Sequence, residues 1–127
     1  MSLNVRGLGS QHKRRDVMHY LKGMDAHIIF LQDTHMTKNK IPSFDSLWKG
    51  KMYHSLYTHN SRGTSILISK NTQHEVISQF ADSGGNYVIL ECKIGADVYV
   101  LGSIYGPNRD EPEFYSGIGE LLEGIDC

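Results

Sequence analysis

Cysteine is scarce in this chain: there are two, Cys92 and Cys127, too few for a disulfide framework, and no Cys/His spacing marks a zinc site. Cys92 sits in an apolar run and reads as a core thiol. Long apolar stretches are missing as well. None approaches the roughly 20 residues of a membrane span, and the first residues lack the basic-then-apolar layout of a signal peptide. The expectation is a nuclear or cytoplasmic chain, neither secreted nor membrane-bound. Nor is there an excess of charge of either sign: 13 Lys and Arg against 14 Asp and Glu give a formal net charge of −1, so any nucleic-acid contact must come from a local patch. No repeat, low-complexity tract or linker divides the 127 residues, which read as one unit, or part of one, without an internal boundary.

What is present centres on Ile28-Ile29-Phe30-Leu31-Gln32-Asp33-Thr34-His35. A short apolar run ending in polar residues is the pattern of a strand buried on both faces, although periodicity alone does not separate it from a helix segment. Asp33 and His35 stand at its carboxyl end, where ligands sit in open α/β sheets. Before it, Ser2 to Val5 reads as a short strand closed by a turn with two glycines, Gly7 and Gly9. Asn4 inside that strand either bonds the adjacent turn backbone or offers its amide to a metal or phosphate. From Ser10 or Gln11 to Met24 the spacing is helical, with Val17, Tyr20, Leu21 and Met24 forming the apolar face and Gly23 ending the helix. Its first turn carries His12, Lys13, Arg14 and Arg15, cations that oppose the helix dipole. They form either a solvated face or a surface that contacts phosphate.

After His35, Met36 to Ser46 reads as a surface loop. Strand candidates then follow in series: Trp48 to Tyr57, interrupted by Gly50; Gly63 to Ser69; His74 to Ala81; Tyr87 to Ile94; and Val98 to Tyr105. The tight Gly95-containing connection makes the last pair a hairpin. The order implies an antiparallel meander with few helices. Tyr105-Gly106-Pro107-Asn108 closes the last strand, and Pro112 opens a helix weakened by Gly117, Gly119 and Gly124. Three strand tips therefore carry polar groups: Asn4, Asp33 with His35, and Tyr105 with Asn108. Converging on one edge, they suit Mg²⁺, a hard ion commonly held by one or two carboxylates plus water and substrate phosphate. An Asp at a strand end equally serves as a turn residue.

Taken as an ordered set, Leu3-Asn4-Val5-Arg6-Gly7-Leu8 with the basic Lys13-Arg14-Arg15, Ile29 to His35, Gly63 to Ile68 and Ile104 to Asn108 resemble the endonuclease/exonuclease/phosphatase superfamily. The resemblance is closest to the N-terminal part of the apurinic/apyrimidinic-type endonuclease domain of non-LTR retrotransposons. It implies an α+β fold, a two-sheet β-sandwich flanked by helices, present only as its N-terminal part. It also implies a phosphodiesterase that uses Mg²⁺ or Mn²⁺ to nick DNA and so prime reverse transcription. In that reading Asn4 and Asp33 hold the metal, and His35, Tyr105 and Asn108 serve the catalytic site. Lys13, Arg14 and Arg15 meet the DNA backbone.

Two departures accompany the resemblance. The family's carboxylate at the Asp33 position is Glu, one methylene longer. Its later Gly-Asp-Phe-Asn and Asp-His motifs have no counterpart before Cys127. The isolated chain is therefore expected to be inactive, its open sheet covered by a partner or by the missing C-terminal half. The alternative is a transposon-derived remnant that at most binds nucleic acid or a protein.

Overall fold

The computed structural model describes residues 2–8, 10–24, 26–57 and 62–104. In chain order these form β1 (Ser2–Asn4), α1 (Gln11–Gly23), β2 (Ile28–Gln32), a single 3₁₀ turn (Lys38–Lys40) and α2 (Ile41–Asp45), followed by β3 (Gly50–Ser55), β4 (Thr64–Ser69), β5 (Glu75–Ala81), β6 (Tyr87–Ile94) and β7 (Asp97–Ile104). The first sheet has the order β1-β2-β4-β3, with β1 parallel to β2 and the remaining pairs antiparallel. The second is the expected meander, β5-β6-β7, and Gly95 at φ +64° makes the two-residue turn between Ile94 and Asp97. No described helix is long and apolar enough to cross a membrane.

The two sheets stack, and the helices cover the far face of the first. In β2, Ile29 and Leu31 point toward the helix layer, where they meet Leu8, Met18, Leu21 and Phe44. Ile28 and Phe30 point the other way, against Ile66, Ile68, Val88, Leu90 and Cys92 between the sheets. The Ile28 run is thus a strand packed on both faces, as its unbroken apolarity requires. The resulting α+β sandwich is the expected architecture, and Cys92 is a buried core thiol.

Two local expectations are corrected. The buried face of α1 is not Val17, Tyr20, Leu21 and Met24. It is Arg14, Met18 and Leu21, with Val17 half-buried, and Tyr20 and Met24 are 52% and 46% exposed. The stripe begins one turn earlier than its apolar residues suggest because Arg14 lies along the core and ends its guanidinium on Leu8 O at 2.9 Å. Nor is Met36 to Ser46 a surface loop. It contains α2, opened by Pro42 in its first turn, and it buries Met36 and Phe44 completely. The expected helix from Pro112 lies outside the described residues.

Candidate functional site

β1 and β2 run parallel with Asn4 opposite Gln32, so both chains emerge at the same edge. Beyond the strands, the pairing continues through backbone that is no longer extended. Val5 N–H donates to Gln32 O at 3.0 Å, Gly7 N–H to Asp33 O at 2.7 Å and Leu8 N–H to Thr34 O at 2.7 Å. On its other side the same segment donates, Thr34 N–H to Gly63 O at 3.0 Å and His35 N–H to Arg62 O at 2.6 Å. Asp33-Thr34-His35 is therefore stitched between two loops.

Four non-glycine residues at this seam take the left-handed conformation: Arg6 (φ +50°), Asp33 (+59°), His35 (+54°) and Arg62 (+57°). Each costs of the order of 1–2 kcal/mol, which the ladder of amide bonds offsets. Glycine is required next to two of them. A Cβ on Gly7 (φ +96°) would come within 2.6 Å of His35 Nδ1, and one on Gly63 (φ +96°) would strike the Thr34 hydroxyl. Gly63 N–H in turn donates to Gly85 O at 2.8 Å, joining the β5–β6 turn to the seam. That turn is organised by Asp82, whose carboxylate accepts from Ser55 Oγ at 2.6 Å, Asn86 N–H at 2.9 Å, Asn86 Nδ2 at 2.9 Å and Tyr87 N–H at 3.1 Å. Burial pushes the Asp82 carboxyl up, but these bonds outweigh it and hold the group below the ordinary Asp value.

The strand-tip side chains are placed by this frame. His35 Nε2 lies 2.6 Å from Asp33 Oδ1, the two side chains being 32% and 18% exposed. Asn4 is exposed, and its Oδ1 accepts from Arg6 N–H at 3.1 Å, so it makes the bond to turn backbone while standing at the strand end opposite Gln32, the residue before Asp33. The end of β7 is tied to the same edge: Ser103 Oγ donates to Leu31 O at 2.9 Å and accepts from Gln32 Nε2 at 3.1 Å. Tyr105 and Asn108, which follow β7, lie outside the described residues.

The three consecutive basic residues Lys13, Arg14 and Arg15 separate. Lys13 Nζ donates to Arg6 O at 3.0 Å, and the buried Arg14 holds Leu8 O and reaches Ser43 Oγ at 3.4 Å. Both brace the loop that carries Asn4 into the seam. Arg15 is exposed on the outer surface. Arg14, 7% exposed, is thereby removed from any DNA-facing surface.

Among the described residues no group of three His, Cys, Asp or Glu gathers that could hold a metal ion. Against this geometry, the model of the endonuclease/exonuclease/phosphatase family matches residues 1–121. The chain belongs to that family. It is 27% identical over 127 residues to the transposon TX1 uncharacterized 149 kDa protein of Xenopus laevis, across 98% of this chain and 10% of that protein. Among solved structures, TDP2 from C. elegans superposes with a TM-score of 0.65 at 26% identity, covering 96% of this chain and 41% of that one. The endonuclease domain of TRAS1, a telomere-specific non-LTR retrotransposon, gives a TM-score of 0.66 at 15% identity over 98% and 54%. The chain therefore spans a tenth of the curated relative and about half of these structures.

For a member of the endonuclease/exonuclease/phosphatase family, the sequence signals had marked the tips of β1 and β2 and passed over the residues that lock them: Arg6, Gly7, Thr34, Arg62 and Gly63. Gly7 and Gly63, each opening a turn at one of these loops, were the available clue. Thr34 carried none, since its burial follows from two flanking loops that are distant in sequence.

Proposed function

We propose that this chain is part of a Mg²⁺-dependent DNA-nicking phosphodiesterase domain of a retrotransposon-type protein, whose nick primes reverse transcription. The observation that carries the reading is the Asp33–His35 pair, held by backbone bonds on both sides beside Asn4. Membership of the family and the likeness to a transposon protein and to the TRAS1 endonuclease domain support it.

The residues fit a hard cation. A carboxylate has about four acceptor positions and an amide oxygen two, so the bonds from His35 and Arg6 leave Asp33 and Asn4 able to ligate. One carboxylate and one amide suit Mg²⁺, which keeps several waters, and Mn²⁺ accepts the same donors. Once bound, the ion supplies electrostatic stabilisation of the phosphate oxygens as charge develops on them. The chain's own residues do the rest. His35 fixes the rotamer of Asp33, Asn4 presents its amide from the neighbouring strand, and Tyr105 and Asn108 contact the phosphate being cut. Lys13 steadies the Arg6 loop, while Arg15 meets the flanking DNA backbone.

Incubation of supercoiled plasmid with the full reading frame and Mg²⁺ is expected to give open circles, and Asp33→Asn to abolish them. A blank result with the full frame overturns the reading. It leaves the alternative of a non-catalytic remnant that binds nucleic acid, which the internal bonds of Asn4 and Asp33 would then favour.

A further inference from the structure

The end of the sandwich opposite the Asp33 edge carries a cluster of positive charge that the proposed nicking reaction does not use. β4 runs from Thr64, next to the seam, to Ser69 at the far end, and a strand of that length separates the two ends by roughly 17–20 Å. At the far end a cavity of about 240 Å³ is lined by Leu21, Lys22, Ala26, Trp48, Lys49, Ser69, Lys70 and Asn71. Three lysines face it, and among the described residues no acidic residue does. Lys22 comes from the last turn of α1, and Lys49 and Lys70 are brought side by side by the bond from Lys70 N–H to Lys49 O at 3.1 Å. All three are exposed, and their ammonium groups make no hydrogen bond or ion pair among the described residues.

A second depression of about 450 Å³ shares Ser69 and Lys70 with the first and adds Lys51 and His74. Glu75, the acidic residue that follows His74, lines neither. In a chain whose net charge is −1, four lysines thus border two adjoining hollows that no carboxylate of the described residues lines. Lysines left together uncompensated repel one another, and a polyanion relieves that repulsion.

We propose that these hollows form a second nucleic-acid site, which takes the phosphodiester backbone of a single strand. The first cavity is smaller than the roughly 300–1,000 Å³ pockets that enclose drug-sized ligands, so it admits one phosphate with its sugar or base, not the side of a duplex. The second, joined to it through Lys70, continues the track for the next nucleotide. Trp48 supplies the apolar wall. Its indole N–H donates to Ile68 O at 3.2 Å, which fixes the ring beside the lysines, where a base can stack. The site rests on no part of the nicking reading.

Trp48 is the chain's single tryptophan, so its fluorescence reports this cavity alone. Titration with a short oligothymidylate is expected to quench it saturably, with the log of affinity falling as the log of salt concentration at a slope of about −0.7 per phosphate contacted. Lys49→Ala and Lys70→Ala should each make that slope shallower by about 0.7 and weaken binding several-fold. Thermal unfolding of both variants should stay unchanged. Arg15→Glu should leave the Trp48 titration as it was. The proposal is overturned by an unquenched Trp48, by quenching that persists in the triple Lys22/Lys49/Lys70→Ala variant, by inorganic phosphate acting as strongly as the oligonucleotide, or by tighter binding of a blunt duplex.

Discussion

His54 shows how one half-buried side chain sets the acid tolerance of the fold. It projects from β3 with Nδ1 2.7 Å from Ser65 Oγ, and Nε2 is buried without a hydrogen-bond partner among the described residues. Burial pushes its pKa down to about 4, only partly opposed by the charge of Asp45. In the unfolded chain the ring takes up a proton near pH 6.5. Between that pH and about 4 the unfolded state binds a proton that the folded state refuses. Stability is complete above pH 6.5 and falls as the pH drops through this window, by up to roughly 3 kcal/mol. Urea unfolding at a series of pH values checks this, and His54→Gln should flatten the decline. A second loss follows at lower pH, where Asp82 protonates below the ordinary Asp value and releases the bonds of the β5–β6 turn. Asp82→Asn should remove that step.

Asp33 poses a different question at the same scale. Its left-handed backbone suits Asp better than Glu, so Asp33→Glu should lower stability by less than about 1 kcal/mol. In the complete domain the longer arm should still raise Mg²⁺-dependent plasmid nicking, because it carries the carboxylate further out from the His35 bond. A fall in nicking at undiminished stability would assign Asp33 a different task.

At the level of elements, what could be read in the sequence depended on how local the cause was. The strand limits of β6 and the β6–β7 hairpin follow from apolar runs and a Gly turn, and both are found where those signals stand. The phase of α1 was misread because its first core position is an arginine, whose anchoring carbonyl, Leu8 O, belongs to a loop that periodicity does not see. Met18 and Tyr20 separate the two phases. Met18→Ala should destabilise by about 2–4 kcal/mol and Tyr20→Ala by about 0.5 kcal/mol or less, measured by denaturant unfolding. The seam at the site shows in the sequence only as two turn glycines, since Gly7 and Gly63 acquire their importance from His35 and Thr34 across the fold. Gly7→Ala, forced against His35 at a φ of +96°, should cost about 1–3 kcal/mol and displace the imidazole. Changed chemical shifts of the His35 ring in NMR spectra would show the displacement.

For the whole molecule, the stacking places the open edges of β1 and β7 on one flank. β7 packs over β2 and β4, and β6 over β4 and β3, so the free edge of β7 lies on the side where β1 has no outer neighbour among the described residues. Val98, Tyr99 and Ile104 are exposed along β7. Two unpaired edges and an apolar strand side by side invite further pairing. The chain spans about half of the related structures. The 127-residue chain by itself should therefore associate through this flank as its concentration rises, as sedimentation velocity would show. Tyr99→Lys, which places a charge on the β7 edge, should shift the chain toward monomer without changing its circular dichroism, whereas Lys51→Glu on the far edge strand β3 should leave association unchanged. A chain that stays monomeric at high concentration would mean that residues after Ile104 cover the flank themselves.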